Sequence, residues 1–198
     1  MKTTTGRPRA FDRDTALDQA IRLFWRHGYE GTSIAALTEA MDIRPPSLYS
    51  AFGDKRTLFK EAVLRYMTTY GAATTRALAE EPTARASIER MLREVVVAYT
   101  DPTHPTGCLV TSGATNVTPQ SADVEADLRR WRNLGKQAIT DRIAAGIAAG
   151  EFPAGTDADA LGTYVVTVMQ GMAQQARDLA GREVLDSVVT AAMRAWPA

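Results

Sequence analysis

The sequence predicts an all-α protein. Apolar residues recur at spacings of three and four through every long stretch, the period of an amphipathic helix. No strand-type alternation of useful length interrupts them, and no repeat or low-complexity tract appears. Prolines, glycines and capping residues divide the pattern into about nine helices. At 198 residues the chain is long enough for a good core, as one large domain or two small ones.

Residues 1–11 are polar, hold Gly6 and Pro8, and read as a flexible basic arm. Asp12 is placed to cap a first helix whose inner face is Leu17, Ala20, Ile21 and Phe24, and Gly28 ends it. Thr32 or Ser33 caps a short second helix with Ile34, Leu37 and Met41 inward. Pro45 or Pro46 opens a third, since proline at the first helical position loses no intrahelical bond. Asp54 caps a fourth, where an acid suits the helix dipole, and Leu58, Ala62, Arg65 and Thr69 carry it toward Ala79. Pro82 breaks the pattern, and residues 84–99 resume it with Ile88, Leu92, Val95 and Tyr99. A loop follows over Thr100–Gly107, then a short helix within residues 108–117. The longest run, 122–149, carries Val124, Leu128, Trp131, Ala138, Ile139, Ile143 and Ile147 on or near one face, and Gly150 ends it. Thr156 with Asp159 has the spacing of a capping box for a helix through Ala180. Gly181 then separates a last helix over residues 182–195.

Net charge is zero, but it divides unevenly. Residues 1–60 carry a balance of +3 and the remainder −3. DNA affinity depends on where charges sit, so this balance alone argues little. No signal peptide or membrane span is evident, and a cytoplasmic location is the expectation. The single cysteine, Cys108, has no internal disulfide partner, which fits a reducing compartment. No cluster of His, Cys or carboxylates points to a metal, and no cofactor is expected.

Residues 24–59 hold the most informative pattern. A helix, the short turn Asp42-Ile43-Arg44 and a second helix form a helix-turn-helix, the device that places the N-terminus of one helix against base edges in the major groove. Leu48 and Phe52 face the small core at i and i+4. Arg44, Pro45, Pro46, Ser47 and Ser50 then face outward, with Tyr49 to one side. Arg44 suits a bidentate contact to guanine. The hydroxyls of Thr32 and Tyr49, and Lys55 at a helix start, suit phosphates, which fix register rather than sequence. Arg7 and Arg9 flank Pro8 in the arm and suit a minor-groove or phosphate contact.

Leu23-Phe24, Gly28-Tyr29, Thr32-Ser33-Ile34, Leu48-Tyr49, Phe52 and Asp54-Lys55 match in type and spacing the N-terminal pattern of TetR/AcrR-type transcriptional regulators. The resemblance covers residues 12–60. It implies a DNA-binding head at residues 12–53 and a larger helical ligand-binding and dimerisation body at residues 54–198, entered through a connecting helix at 54–79. It implies a homodimer on a palindromic double-stranded operator, repressing until a small molecule releases it. Two departures stand out. The family often has Gly-Val-Ser before the recognition helix, where this chain has Asp42-Ile43-Arg44, and often His where this chain has Ala51. The lost serine weakens the helix N-cap, which the double proline Pro45-Pro46 partly replaces, so operator specificity cannot be borrowed from a relative.

The resemblance places dimerisation on the last two helices. Leu161, Tyr164, Val165, Val168, Val184, Val188 and Ala192 are the candidates, with Gly162, Gly171 and Ala173 permitting close helix approach. Apolar and aromatic walls with a few hydroxyls describe a small-molecule site. Tyr66, Tyr70, Met91, Val95, Tyr99, Cys108, Thr111, Ser112, Trp131, Leu134, Met169 and Met172 are the candidates for it. Some members with a comparable Gly-Cys-Leu sequence use the cysteine to sense electrophiles, which makes Cys108 an alternative sensor. A Cys108–His104 enzyme and a helical adaptor whose head binds protein are two further readings. The first lacks a third catalytic partner, with Pro105 and Gly107 intervening. Salt-dependent binding to a palindrome excludes both.

Overall fold

The computed structural model describes residues 11–197. It contains ten α-helices and one 3-10 turn among these residues, and no strand. The helices are α1 (Arg13–His27), α2 (Ile34–Ala40), α3 (Pro45–Phe52), α4 (Lys55–Thr68) and α5 (Ala72–Glu80). The rest are α6 (Ala84–Thr100), α7 (Leu109–Ser112), α8 (Ala122–Ala148), α9 (Ala158–Arg177) and α10 (Arg182–Arg194).

Local chemistry accounts for the boundaries. The Asp12 carboxylate accepts from the backbone N–H groups of Asp14 and Thr15 at the start of α1. Gly28 closes that helix at φ +72°, a conformation that suits glycine. Ser33 caps α2 through the Ala36 N–H, and Asp54 caps α4 through that of Thr57. Thr32 is therefore not the cap.

Four sequence expectations are corrected. The helix expected over 54–79 is two helices. The hydroxyls of Thr68 and Thr69 satisfy carbonyls of the last turn of α4, and the Gly71 N–H closes it on the Tyr66 carbonyl. This break is why there are ten helices rather than nine. The expected helix within 108–117 shrinks to one turn, because Gly113 follows it and gives its carbonyl to the Tyr29 N–H at 2.7 Å. The cap of α9 is Asp157, which accepts from Asp159 and Ala160 N–H groups, while the Thr156 hydroxyl turns back to the Pro153 carbonyl. Finally, α9 stops at Arg177 instead of Ala180, because Leu179 takes a left-handed conformation at φ +69°.

Two apolar cores form. The first joins Ala20, Ile21, Phe24, Leu37, Leu48 and Phe52 of α1–α3 to Leu58, Phe59, Ala62 and Val63 of α4, and extends to Leu109, Val124 and Leu128. The second joins α5, α6, the later half of α8, α9 and α10, with Met91, Leu92, Ile139, Ile143, Met172, Leu185 and Val189 inside. Cys108 packs against both. The boundary expected between residues 53 and 54 therefore crosses a continuous core, with α4 completing the head. Ion pairs fasten α4 to α1: Arg65 donates to both oxygens of Asp18 at 2.6 and 3.2 Å, and Arg13 to Glu61 at 2.7 Å.

Candidate DNA-reading surface and cavity

The turn before α3 depends on Asp42, which holds φ +51° where L residues other than Asn and Asp are rare. It replaces the glycine common in the family. The Ile43 N–H donates to the Thr38 carbonyl and fixes the angle between α2 and α3. Arg44 precedes α3 in extended conformation and gives no side-chain cap, so Pro45 opens the helix, as its fixed φ favours. Leu48 and Phe52 are buried as expected. The opposite side presents Arg44, Pro45, Pro46, Tyr49 and Ser50 to solvent, with Ser47 half-buried. Tyr49 is 51% exposed, far more than an aromatic inside a core. No carboxylate among the described residues forms an ion pair with Arg44, so its guanidinium is available to a base.

Lys55 is half-buried in the first turn of α4, its ammonium 4.2 Å from the centre of the Tyr29 ring. Burial pulls its pKa down. Thr32 is a correction: it is 1% exposed, and its hydroxyl donates to the Gly28 carbonyl at 2.7 Å. It braces the turn after α1 and cannot reach a phosphate. Arg7 and Arg9 lie outside the described residues.

A cavity of about 590 Å³ opens between α4, α5, α6, α8 and α9. Its size is that of a small-molecule site. Of the twelve residues expected in a pocket, eight line it: Tyr66, Tyr70, Val95, Tyr99, Cys108, Thr111, Trp131 and Met169. Four do not. Met91 and Met172 are core residues of the second cluster. Leu134 points to solvent, 53% exposed. The Ser112 hydroxyl donates to the Cys108 carbonyl and faces Arg177. Residues not foreseen include Thr74, Gln170, Arg132, Lys136 and Arg142. Trp131, Gly135, Ala138 and Arg142 follow helical spacing on one face of α8, which was the available signal.

Cys108 sits beside the buried hydroxyls of Tyr66 and Tyr99. Burial, with the thiol as a second cause, pushes both phenols well above their usual range. His104 is engaged elsewhere, stacked 4.6 Å from the Trp25 ring centre and edge-on to Tyr70, so no Cys–His pair is assembled. Among the described residues no group of three metal-ligating side chains occurs, and no helix is long and apolar enough to cross a membrane.

Helices α9 and α10 present an outer face with Tyr164 and Val184 exposed, and with Leu161, Val168 and Val188 half-buried at its edge. A Cβ on Gly171 of this face would meet only open space. Val165 and Ala192 are corrections: both are buried in the monomer's own core. Gly162 and Ala173 also turn inward, and a Cβ on Gly162 would lie 2.3 Å from the Thr140 hydroxyl of α8.

A helix-turn-helix head with an exposed polar face, joined through α4 to a helical body that encloses an apolar cavity, is the architecture of a DNA-binding regulator. Residues 16–62 match the model of bacterial regulatory proteins of the tetR family, and residues 82–192 match the tetracyclin repressor-like C-terminal domain. The chain belongs to the TetR family of transcriptional regulators, a family of DNA-binding proteins and not of enzymes. It is similar to the HTH-type transcriptional repressor ComR of Escherichia coli (strain K12), 32% identical over 198 residues, covering 100% of this chain and 94% of that protein. It is also similar to the repressor BdcR of that strain, 29% identical, covering 95% and 89% of the two chains. Among solved structures it resembles a cysteine mutant of the TetR family transcriptional regulator CifR complexed with 26bp double-strand operator DNA. That likeness has 47% identity and a TM-score of 0.92, covering 96% of this chain and 100% of that one.

Proposed function

We propose that this regulator is a homodimeric repressor that leaves a palindromic operator when a small molecule fills the cavity. One observation carries the reading: α4 belongs to both functional parts. Its first turns complete the head core through Leu58, Phe59 and Ala62, and its last turns wall the cavity through Tyr66 and Met67. Tyr70, just beyond its end, continues that wall. A ligand that moves the end of α4 tilts the head.

Arg44 reads a base, while Tyr49, Ser47, Ser50 and Lys55 seat α3 on phosphates. Pro45 and Pro46 set the approach. The outer face of α9 and α10, with Tyr164, Val184 and Val188, pairs with a second copy and sets two recognition helices about 34–36 Å apart. ComR and BdcR carry the name repressor, and CifR is described as complexed with operator DNA, which supports the reading of a DNA-binding repressor. The protein works in the cytoplasm, where the lone Cys108 stays reduced.

The test is selection of bound sequences from random DNA by the full chain. The expected product is a palindrome whose affinity falls linearly on a log–log plot against salt. Binding without sequence preference overturns the reading.

A further inference from the structure

We propose that the cavity takes an apolar organic carboxylate, with Arg142 as its counter-ion; this rests on the reading of the cavity as the effector site. The charged groups on the α8 wall are not equivalent. Arg132 gives one N–H to the Val110 carbonyl and pairs with Glu125 at 3.4 Å. Lys136 pairs with Asp159 at 3.0 Å. Both charges are compensated within the chain.

Arg142 is different. Its Nε donates to the Ser87 hydroxyl at 3.0 Å and its Nη2 to the Glu81 carbonyl at 3.2 Å. Both acceptors are neutral. No carboxylate among the described residues lies within ion-pair distance of it. Asp141 also lines the cavity, but its carboxylate accepts from Gln137 at 2.8 Å and is solvent-exposed. The Glu81 side chain is held by Arg90 at 2.9 Å. A half-buried guanidinium oriented by two neutral acceptors has an unmatched charge, and such a charge favours an anion. The two hydrogen bonds fix its plane, which preorganises it for a carboxylate fork.

The rest of the wall specifies the remainder of the ligand. Tyr66, Tyr70 and Trp131 supply aromatic faces, and Leu78, Val166 and Met169 supply aliphatic surface. Gly135 also lines the space, and a Cβ there would meet nothing within 4 Å. A glycine in the middle of a 27-residue helix is unfavourable for the helix, and here it leaves room. A ring or short chain ending in a carboxylate fits these walls.

The experiment is titration calorimetry of the full chain with 2-naphthoate and with its neutral isostere 2-naphthylmethanol, and operator affinity is then measured with each. The expected result is naphthoate binding at one per protomer, more than about tenfold tighter than the alcohol. Arg142→Gln should abolish that preference, Arg142→Lys should retain most of it, and Arg132→Gln should leave it intact. Gly135→Leu should weaken both probes by filling the space. A thermal melt of each variant confirms folding. Equal binding of acid and alcohol, no binding of the acid, or a preference that survives Arg142→Gln overturns the proposal. If naphthoate binds through Arg142 and operator affinity is unchanged, the carboxylate site stands and the effector reading fails.

Discussion

At the scale of single residues, the head is governed by which side of a short helix each group occupies. Leu48 and Phe52 were legible because i,i+4 apolar pairs define an inner face. Arg44 and Tyr49 followed as the outer face. Replacing Arg44 with Ala should relax preference at one base position of the selected sequence, whereas Tyr49→Phe should weaken binding evenly across sequences. Selection repeated with each variant checks both, and an unchanged preference for Arg44→Ala removes that residue from base reading. Thr32 was not legible: nothing in a hydroxyl's type or spacing says whether it points inward. Asp42 is the other lesson. Its departure from the common glycine is tolerated because a short polar side chain can hold φ +51°. Asp42→Ala should cost about 1 kcal/mol in a urea melt, and Asp42→Gly should stay within about 0.5 kcal/mol of wild type.

At the scale of elements, helix existence was legible and helix ends were less so. Capping residues compete locally, and the winner depends on backbone geometry. Asp157 displaced Thr156, and Ser33 displaced Thr32, through better-placed acceptors. The break between α4 and α5 escaped because Thr69 and Gly71 do not interrupt apolar periodicity; hydroxyls bonding backward end the helix. The acid cap of α4 gives a pH prediction. The backbone N–H of Thr57 is the main cause holding the Asp54 carboxyl below its ordinary 3.8. A lowered folded-state pKa means the contribution is present above pH 3.8 and fades as pH falls through the lowered value. Asp54→Asn still caps but does not titrate, so its thermal midpoint should fall less steeply below pH 4 than that of wild type. Parallel acid profiles would count against the cap.

At the scale of the whole molecule, two cores meet at Cys108 while α8 runs through both, and this arrangement could not be read from the chain. Local periodicity says that Met91 and Met172 are inside, but not that they pack in a core while Met169 faces a cavity. Likewise it marks Val165 and Val184 as apolar without saying that one is buried and the other 54% exposed. The outer face of α9 and α10 should close in a dimer. Val188→Asp should produce monomers in sedimentation velocity and lose palindrome binding, with the monomer still folded by circular dichroism. A dimer that persists would place the interface elsewhere.

On the proposed mechanism the shared helix α4 links cavity to head, with a coupling of about 1–3 kcal/mol expected. The most direct test is fluorescence anisotropy of the selected palindrome with and without a small molecule that calorimetry shows to fill the cavity at one per protomer. Operator affinity should fall about 5–150-fold on occupancy. Unchanged affinity at full occupancy would contradict the account.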